Sequence, residues 1–184
     1  MNVDRESGWL DGVRCIESPN HDARPPGCNP ELIVIHGISL PPGEFGGPGI
    51  DQLFCNDLDA EAHPYFAQIC HLRVSSHVLI SRDGALTQYV SFLDRAWHAG
   101  QSSYCGRSDC NDFAIGIELE GTDDRPYEAA QYQALAALIA TLRGAYPSLE
   151  QAELVGHSDI APGRKTDPGP YFDWALLDKL LAAA

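Results

Sequence analysis

The stretch ELIVIH, residues 31–36, decides the fold class. Leu32, Ile33, Val34 and Ile35 are continuous, apolar and largely β-branched, the pattern of a strand covered on both faces. Strands of that kind belong to layered folds in which helices pack on a sheet. The run stops at His36-Gly37, so a titratable side chain hangs from the end of a buried, rigid element. Two further segments share its character. FAIGIELE (113–120) reads as a strand, and ELVGH (153–157) as a shorter one that again ends on a histidine, His157.

SHVLIS (76–81) and ALTQYV (85–90), joined through Asp83-Gly84, predict a hairpin. AWHAG (96–100) reads as a short extended piece. Helices are expected at 50–56, 64–72, 127–143 and 172–181. In the third, Tyr132, Leu135, Ile139 and Leu142 recur at helical spacing, and Gly144 and Pro147 end it. In the fourth, Asp173 is the expected N-cap, with Trp174, Leu177 and Leu181 on one face. The segments 17–30 and 39–49 are too rich in proline, glycine and polar residues for either element, and a loop as long as the second tends to be functional. The sum is an α/β (α+β) chain with a mixed central β-sheet flanked by helices, in one domain over residues 1–184.

The bulk numbers exclude some partners. A chain of 184 residues that is 44% hydrophobic and 21% charged is ordinary globular protein. Its formal net charge of −14 repels phosphate backbones and anionic lipid, so neither nucleic acid nor a membrane surface is an expected partner. MNVDRESGWLDGVRC at the start mixes acids with bases and has no apolar run, unlike a secretory signal. The expected location is cytoplasmic, and nothing points to an obligate protein partner. The six cysteines form no C-x-x-C pair, and no second pair follows Cys105 and Cys110, so free thiols are expected.

The chemistry-bearing residues lie at the strand ends and in GHSDIAPGRKTDPGP (156–170), which reads as a rigid, non-helical loop. His36, His157 and Asp167 would make two imidazoles and one carboxylate with a fourth position left to water, the donor set of a catalytic zinc site. A histidine taken singly is more often a satisfied core or surface residue, and seven histidines make chance pairs common, so spacing leaves both readings open. Asp167 precedes Pro168 and is pushed toward extended backbone, which puts Lys165 and Asp167 on one face. A solvated ion pair is the plainer alternative there. In 114–120, alternation sets Ile115, Ile117 and Leu119 against Gly116, Glu118 and Glu120. The acidic side is either a cleft floor or a solvated face.

VIHGISLPPGEFGGPGID, HPYF, HLRVSSHVLI, TQYV, RAWHAGQSSY, CNDFAIGIELEG and GHSDIAPGRKTDPGPYFDW follow one another in the order and spacing of the AmpD family. The resemblance runs from about Gly8 to Trp174. It implies the fold of peptidoglycan-recognition proteins and T7 lysozyme, and a cytosolic zinc amidase that cuts between N-acetylmuramic acid and L-alanine, preferring 1,6-anhydro-muropeptides recovered from the wall. It further implies one zinc held by His36, His157 and Asp167, with Glu118 and Lys165 as the catalytic pair. Zinc acidifies water and polarises a carbonyl. Glu118 suits proton transfer to the departing nitrogen, and Lys165 suits the oxyanion.

Arg73 and Arg107 are forked donors for substrate carboxylates or surface arginines. Trp97 is a substrate platform or core, and His98 a substrate or outer-shell group. His77 reads as a sheet-interior histidine. One departure is visible: the family often carries asparagine where this chain has Gly37, and some relatives are more basic near Asp109. Three other readings compete: an amidase acting on polymeric wall, a recognition module that binds without cutting, and a thiol enzyme.

Overall fold

A computed structural model describes residues 1–183. Its central sheet has six strands: β1 (Arg14–Cys15), β2 (Leu32–Ile38), β3 (Val78–Ile80), β4 (Leu86–Gln88), β5 (Ala114–Glu120) and β6 (Glu153–Gly156). Their order is β6-β2-β5-β3-β4-β1. The first four in that order run parallel, β3 and β4 are antiparallel, and β1 pairs parallel to β4. The sheet is therefore mixed, and the expected hairpin joins β3 to β4. Gly84 closes its turn at φ 85°, a conformation that favours glycine.

One face of the sheet is largely apolar, with the Gln88 side chain buried in it and bonded to Leu10 N–H and Gly8 O. Ile33, Ile35, Val78, Ile80, Ile115, Ile117 and Leu119 meet Leu135, Leu138, Ile139 and Leu142 of helix α3 (Ala129–Ala145) and Leu177 of helix α5 (Trp174–Leu181). Each fully buried Leu or Ile in this layer contributes roughly 1.5–3 kcal/mol. The Asp173 carboxylate accepts from Leu176 N–H at 2.9 Å, so the expected N-cap is present.

The opposite face carries two separate apolar clusters. Leu32, Val34 and Ala114 pack with Ala99, Cys110, Phe113, Val155 and Ile160. Leu79 packs with Leu40, Tyr89, Phe66 and the helices α1 (Gly49–Phe54) and α2 (Phe66–Ile69). His36, Gly116 and Glu118 project on this same face from the middle strands, between the two clusters.

Several boundaries differ from the sequence reading. The helix expected over 64–72 is one turn, four residues long, with Phe66 its one buried residue. Helix α3 starts two residues later than expected, where Glu128 caps it and Gln131 Oε1 accepts from Glu128 N–H at 3.0 Å. The loop over 17–30 includes a strand, His21–Ala23, paired with Asp94–Ala96. The 156–170 segment is not wholly non-helical: His157 opens a single turn, α4 (His157–Ile160), instead of ending the strand. The Asp159 carboxylate accepts from Gly156 N–H at 2.7 Å and nucleates that turn. All six cysteines are free thiols. No helix among the described residues is long and apolar enough to cross a membrane.

Candidate active site

Sheet register brings the first residues together. Glu118 on β5 lies opposite His36 on β2, and Gly156 at the end of β6 lies opposite Ile35. His157, one residue on, therefore stands beside His36 on its other side. His157, His36 and Glu118 form a row across the carboxyl ends of three adjacent parallel strands, the usual place for ligands in open sheets of this kind.

The loop after β6 turns back over this row. Asp167 O accepts from Ser158 N–H at 2.9 Å, and the Asp167–Pro168 peptide is cis. The Tyr127 hydroxyl donates to Pro168 O at 2.9 Å. These bonds put Asp167 Oδ2 3.2 Å from His36 Nδ1 and 3.1 Å from His157 Nδ1, while the two Nδ1 atoms are 2.9 Å apart.

That triangle fits a metal ion. His157 Nε2 faces the Ala99 carbonyl oxygen at 3.2 Å, an atom that only accepts, so the ring proton belongs on Nε2. Its Nδ1 then presents a lone pair to a carboxylate oxygen and to a second imidazole nitrogen. Burial foremost pushes His36 down to about 4, so near neutrality that ring has one proton, and Nε2 can use it toward His98 Nδ1 at 2.9 Å. Three lone pairs then converge, which calls for a cation. Donors about 2.0–2.1 Å from a tetrahedral zinc are ~3.3 Å apart, close to the edges seen here.

Two acids on the same strand face separate cleanly. Glu120 is satisfied: it accepts from Gly46 N–H at 2.5 Å and Arg82 N–H at 3.3 Å, tying down the 39–49 loop. Glu118 is 8% exposed and its Oε2 has no hydrogen-bond partner. Burial, then the charge of Asp167, raises the Glu118 carboxyl well above the ordinary glutamate range, while Lys165 pulls the other way. A buried, unpartnered carboxyl with a raised pKa is suited to carry a proton.

These groups line a cavity of about 270 Å³. His36, His157, Asp167, Glu118, Lys165, Trp97 and His98 all border it. Its other wall is apolar, from Leu40, Leu53, Tyr65, Ile69, Leu72 and Val74. Lys165 is exposed, and its position two residues before Asp167 brings it to the same cavity as the acid. Trp97 is half-buried, and its Nε1–H donates to Asp22 at 3.1 Å.

A family model described as N-acetylmuramoyl-L-alanine amidase matches residues 26–170. The 1,6-anhydro-N-acetylmuramyl-L-alanine amidase AmpD of Escherichia coli (strain K12) is 61% identical over 177 residues, covering 96% of this chain and 96% of that protein. The chain belongs to the AmpD family of N-acetylmuramoyl-L-alanine amidases. A crystal structure of a selenomethionine AmpD derivative matches it with TM-score 0.94 at 58% identity, covering 98% of this chain and 99% of that one. The E. coli amidase AmiD, solved with anhydro-N-acetylmuramic acid-L-Ala-D-γ-Glu-L-Lys, matches with TM-score 0.59 at 29% identity, covering 97% of this chain and 65% of that one.

Not every residue singled out in this AmpD-family sequence reaches the cavity. Arg107 is carried elsewhere by the hairpin of Ser103–Tyr104 and Arg107–Ser108, where it pairs with Glu31 at 3.0 Å and lies over the Phe113 ring at 3.9 Å. Arg73 is exposed, and its guanidinium folds back on Leu72 O at 3.2 Å. His77 lies inside the sheet, with Nδ1 accepting from Gly116 N–H at 3.0 Å. At Gly37, a built Cβ would collide with the Tyr127 hydroxyl, so a side chain there must move the group that holds Pro168. Tyr127 and the apolar wall escaped the sequence reading. Tyr127 precedes α3 in a polar stretch, and nothing local says that it reaches residues 41 positions away.

Proposed function

We propose that this chain is a zinc-dependent amidase that hydrolyses the amide between the lactyl group of (1,6-anhydro-)N-acetylmuramic acid and L-alanine in muropeptides, as one zinc amidase domain over residues 1–184 working in cytoplasmic peptidoglycan recycling. The observation that carries this reading is the convergence of His36 Nδ1, His157 Nδ1 and Asp167 Oδ2 beside an unpartnered Glu118. Near-full-length identity to AmpD supports the anhydro-muropeptide preference.

His36, His157 and Asp167 would hold one zinc. Zinc there supplies Lewis acidity, which polarises a carbonyl and acidifies water. Glu118 takes the proton of the attacking water and delivers it to the departing alanine nitrogen. Its low exposure keeps the carboxyl basic enough for the first step and acidic enough for the second. Lys165 places a positive charge beside the oxygen that becomes negative as the carbonyl carbon turns tetrahedral. The apolar wall and Trp97 give the sugar and the first peptide residues a dry surface. Arg73, at the rim between two lining residues, is the cation to test against the stem-peptide carboxylates.

The purified protein, loaded with zinc or chelated, is given soluble anhydro-muropeptide and intact sacculi. Zinc-dependent release of peptide from the soluble substrate alone is expected. Equal release from sacculi would overturn the substrate preference, and binding without release would overturn the enzyme.

A further inference from the structure

We propose that Asn111 is a positioning residue of the metal centre, acting through the backbone of His98 and Ala99 on both ligand histidines at once. The proposal rests on the zinc reading above. Two adjacent residues, His98 and Ala99, serve the far side of the imidazoles: His98 Nδ1 faces His36 Nε2 at 2.9 Å, and Ala99 O faces His157 Nε2 at 3.2 Å. One short stretch of chain therefore sets the proton on two rings that come from different strands.

That stretch has no ladder of its own to hold it. Asn111 Oδ1 holds its centre, accepting from both His98 N–H at 3.1 Å and Ala99 N–H at 2.7 Å, while Ser75 bonds Trp97 on one side and the Arg164 guanidinium donates to Ala99 O at 2.6 Å on the other. The turn that carries Asn111 is fixed in its own right. Cys110 N–H donates to Ser102 Oγ at 3.1 Å, and the Arg24 guanidinium donates to Asn111 O at 3.2 Å and Asp112 O at 3.0 Å. From the sheet side, the His98 ring lies flat over Gly116, where any Cβ would collide with it. The ring is thus held between a glycine in β5 and an amide clamp.

The tautomers follow. Ala99 O can only accept, so His157 carries its proton on Nε2 and opens Nδ1 to the metal. With His98 Nδ1 accepting, His36 does the same. The reverse arrangement, His98 Nδ1–H donating to His36 Nε2, would put the His36 proton on Nδ1, inside the ligand triangle, and close the site. Small displacements of 98–99 therefore act on both ligands together, as outer partners of ligating histidines do in general.

Asn111→Leu keeps the size and removes the acceptor; Asn111→Asp keeps the acceptor. Zinc affinity is measured by competition with a chromophoric chelator, and ligand geometry by the visible bands of the cobalt(II)-loaded protein. Asn111→Leu should weaken zinc binding about 10–100-fold and alter the cobalt bands, and Asn111→Asp should restore both toward wild type. A role in loop stability alone would lower Tm and leave affinity and bands unchanged, which overturns the proposal. Should Asn111→Leu not fold, His98→Ala carries the same two readouts, and unchanged affinity and bands there overturn it equally. A wild-type chain that takes up no zinc overturns the metal reading itself, and this inference with it. Zinc uptake by wild type and Asn111→Leu alike overturns this inference alone.

Discussion

The two halves of the site are built differently. His36 and Glu118 hang from neighbouring strands in the middle of the sheet, where seven consecutive residue pairs fix their relation. Asp167 and Lys165 come from a loop that is tied down by a few bonds: Ser158 to Asp167, Tyr127 to Pro168, and Lys165 N–H to Ala161 O at 3.1 Å. The exposures follow. His36 is 1% exposed, whereas the Asp167 side chain is 15% exposed and Lys165 is at the surface. A substitution on the sheet half removes a function without moving its neighbours. One on the loop half also releases position.

The most severe way to break the comparison is His36→Ala. The sheet should survive, since its register depends on backbone bonds, yet zinc should be lost and turnover should fall to that of the chelated enzyme. Metal content by atomic absorption beside unfolding curves checks it. Zinc retained at full stoichiometry would show that the ligand set is wrong.

Next come the two groups assigned to the chemistry. Glu118→Gln should cost about 10²–10⁴ in kcat and Lys165→Ala about 10²–10³, both with zinc retained. Glu118→Gln has a second signature in the metal-free protein. The raised carboxyl stabilises the fold fully below the ordinary glutamate value of 4.5, and that contribution is lost as pH rises through its folded pKa. Glutamine has no such loss. Denaturant midpoints of the metal-free proteins should therefore diverge in favour of Glu118→Gln as pH rises. Parallel curves would mean that Glu118 is not held in a desolvated state.

The smallest expected effect sharpens the loop half. Tyr127→Phe removes one buried hydrogen bond, to Pro168 O, and should cost ~1 kcal/mol of stability. Because that bond holds the residue after Asp167, zinc affinity should fall with it, while a comparably mild change in the α3–α5 layer leaves affinity alone. Titration of both variants with zinc and chelator separates them.

The strands were legible because their residues leave few choices. A run such as Ile33-Val34-Ile35 or Ile115 and Ile117 about Gly116 has to be buried, and period-two alternation then decides which side chains share the face of Glu118. The same alternation left Glu118 and Glu120 equivalent, although only Glu118 lacks a partner, because Gly46 and Arg82 arrive from other parts of the chain. The turn at His157 was missed for a local reason. Asp159 caps it, and the surrounding glycine and proline masked a helix of four residues.

Arg107 shows the converse limit. Its type suited a carboxylate ligand, but the hairpin that bears it delivers it to Glu31 and Phe113. By itself the sequence determined the mixed sheet, the helix that covers it and the residue types able to bind a metal, because burial and periodicity are written locally. Only the tertiary structure decided that His36, His157, Asp167 and Glu118 share one cavity, and that Ala99 and His98 orient the rings. Strand order and loop closure join residues up to 131 positions apart, across distances in sequence that no local pattern spans.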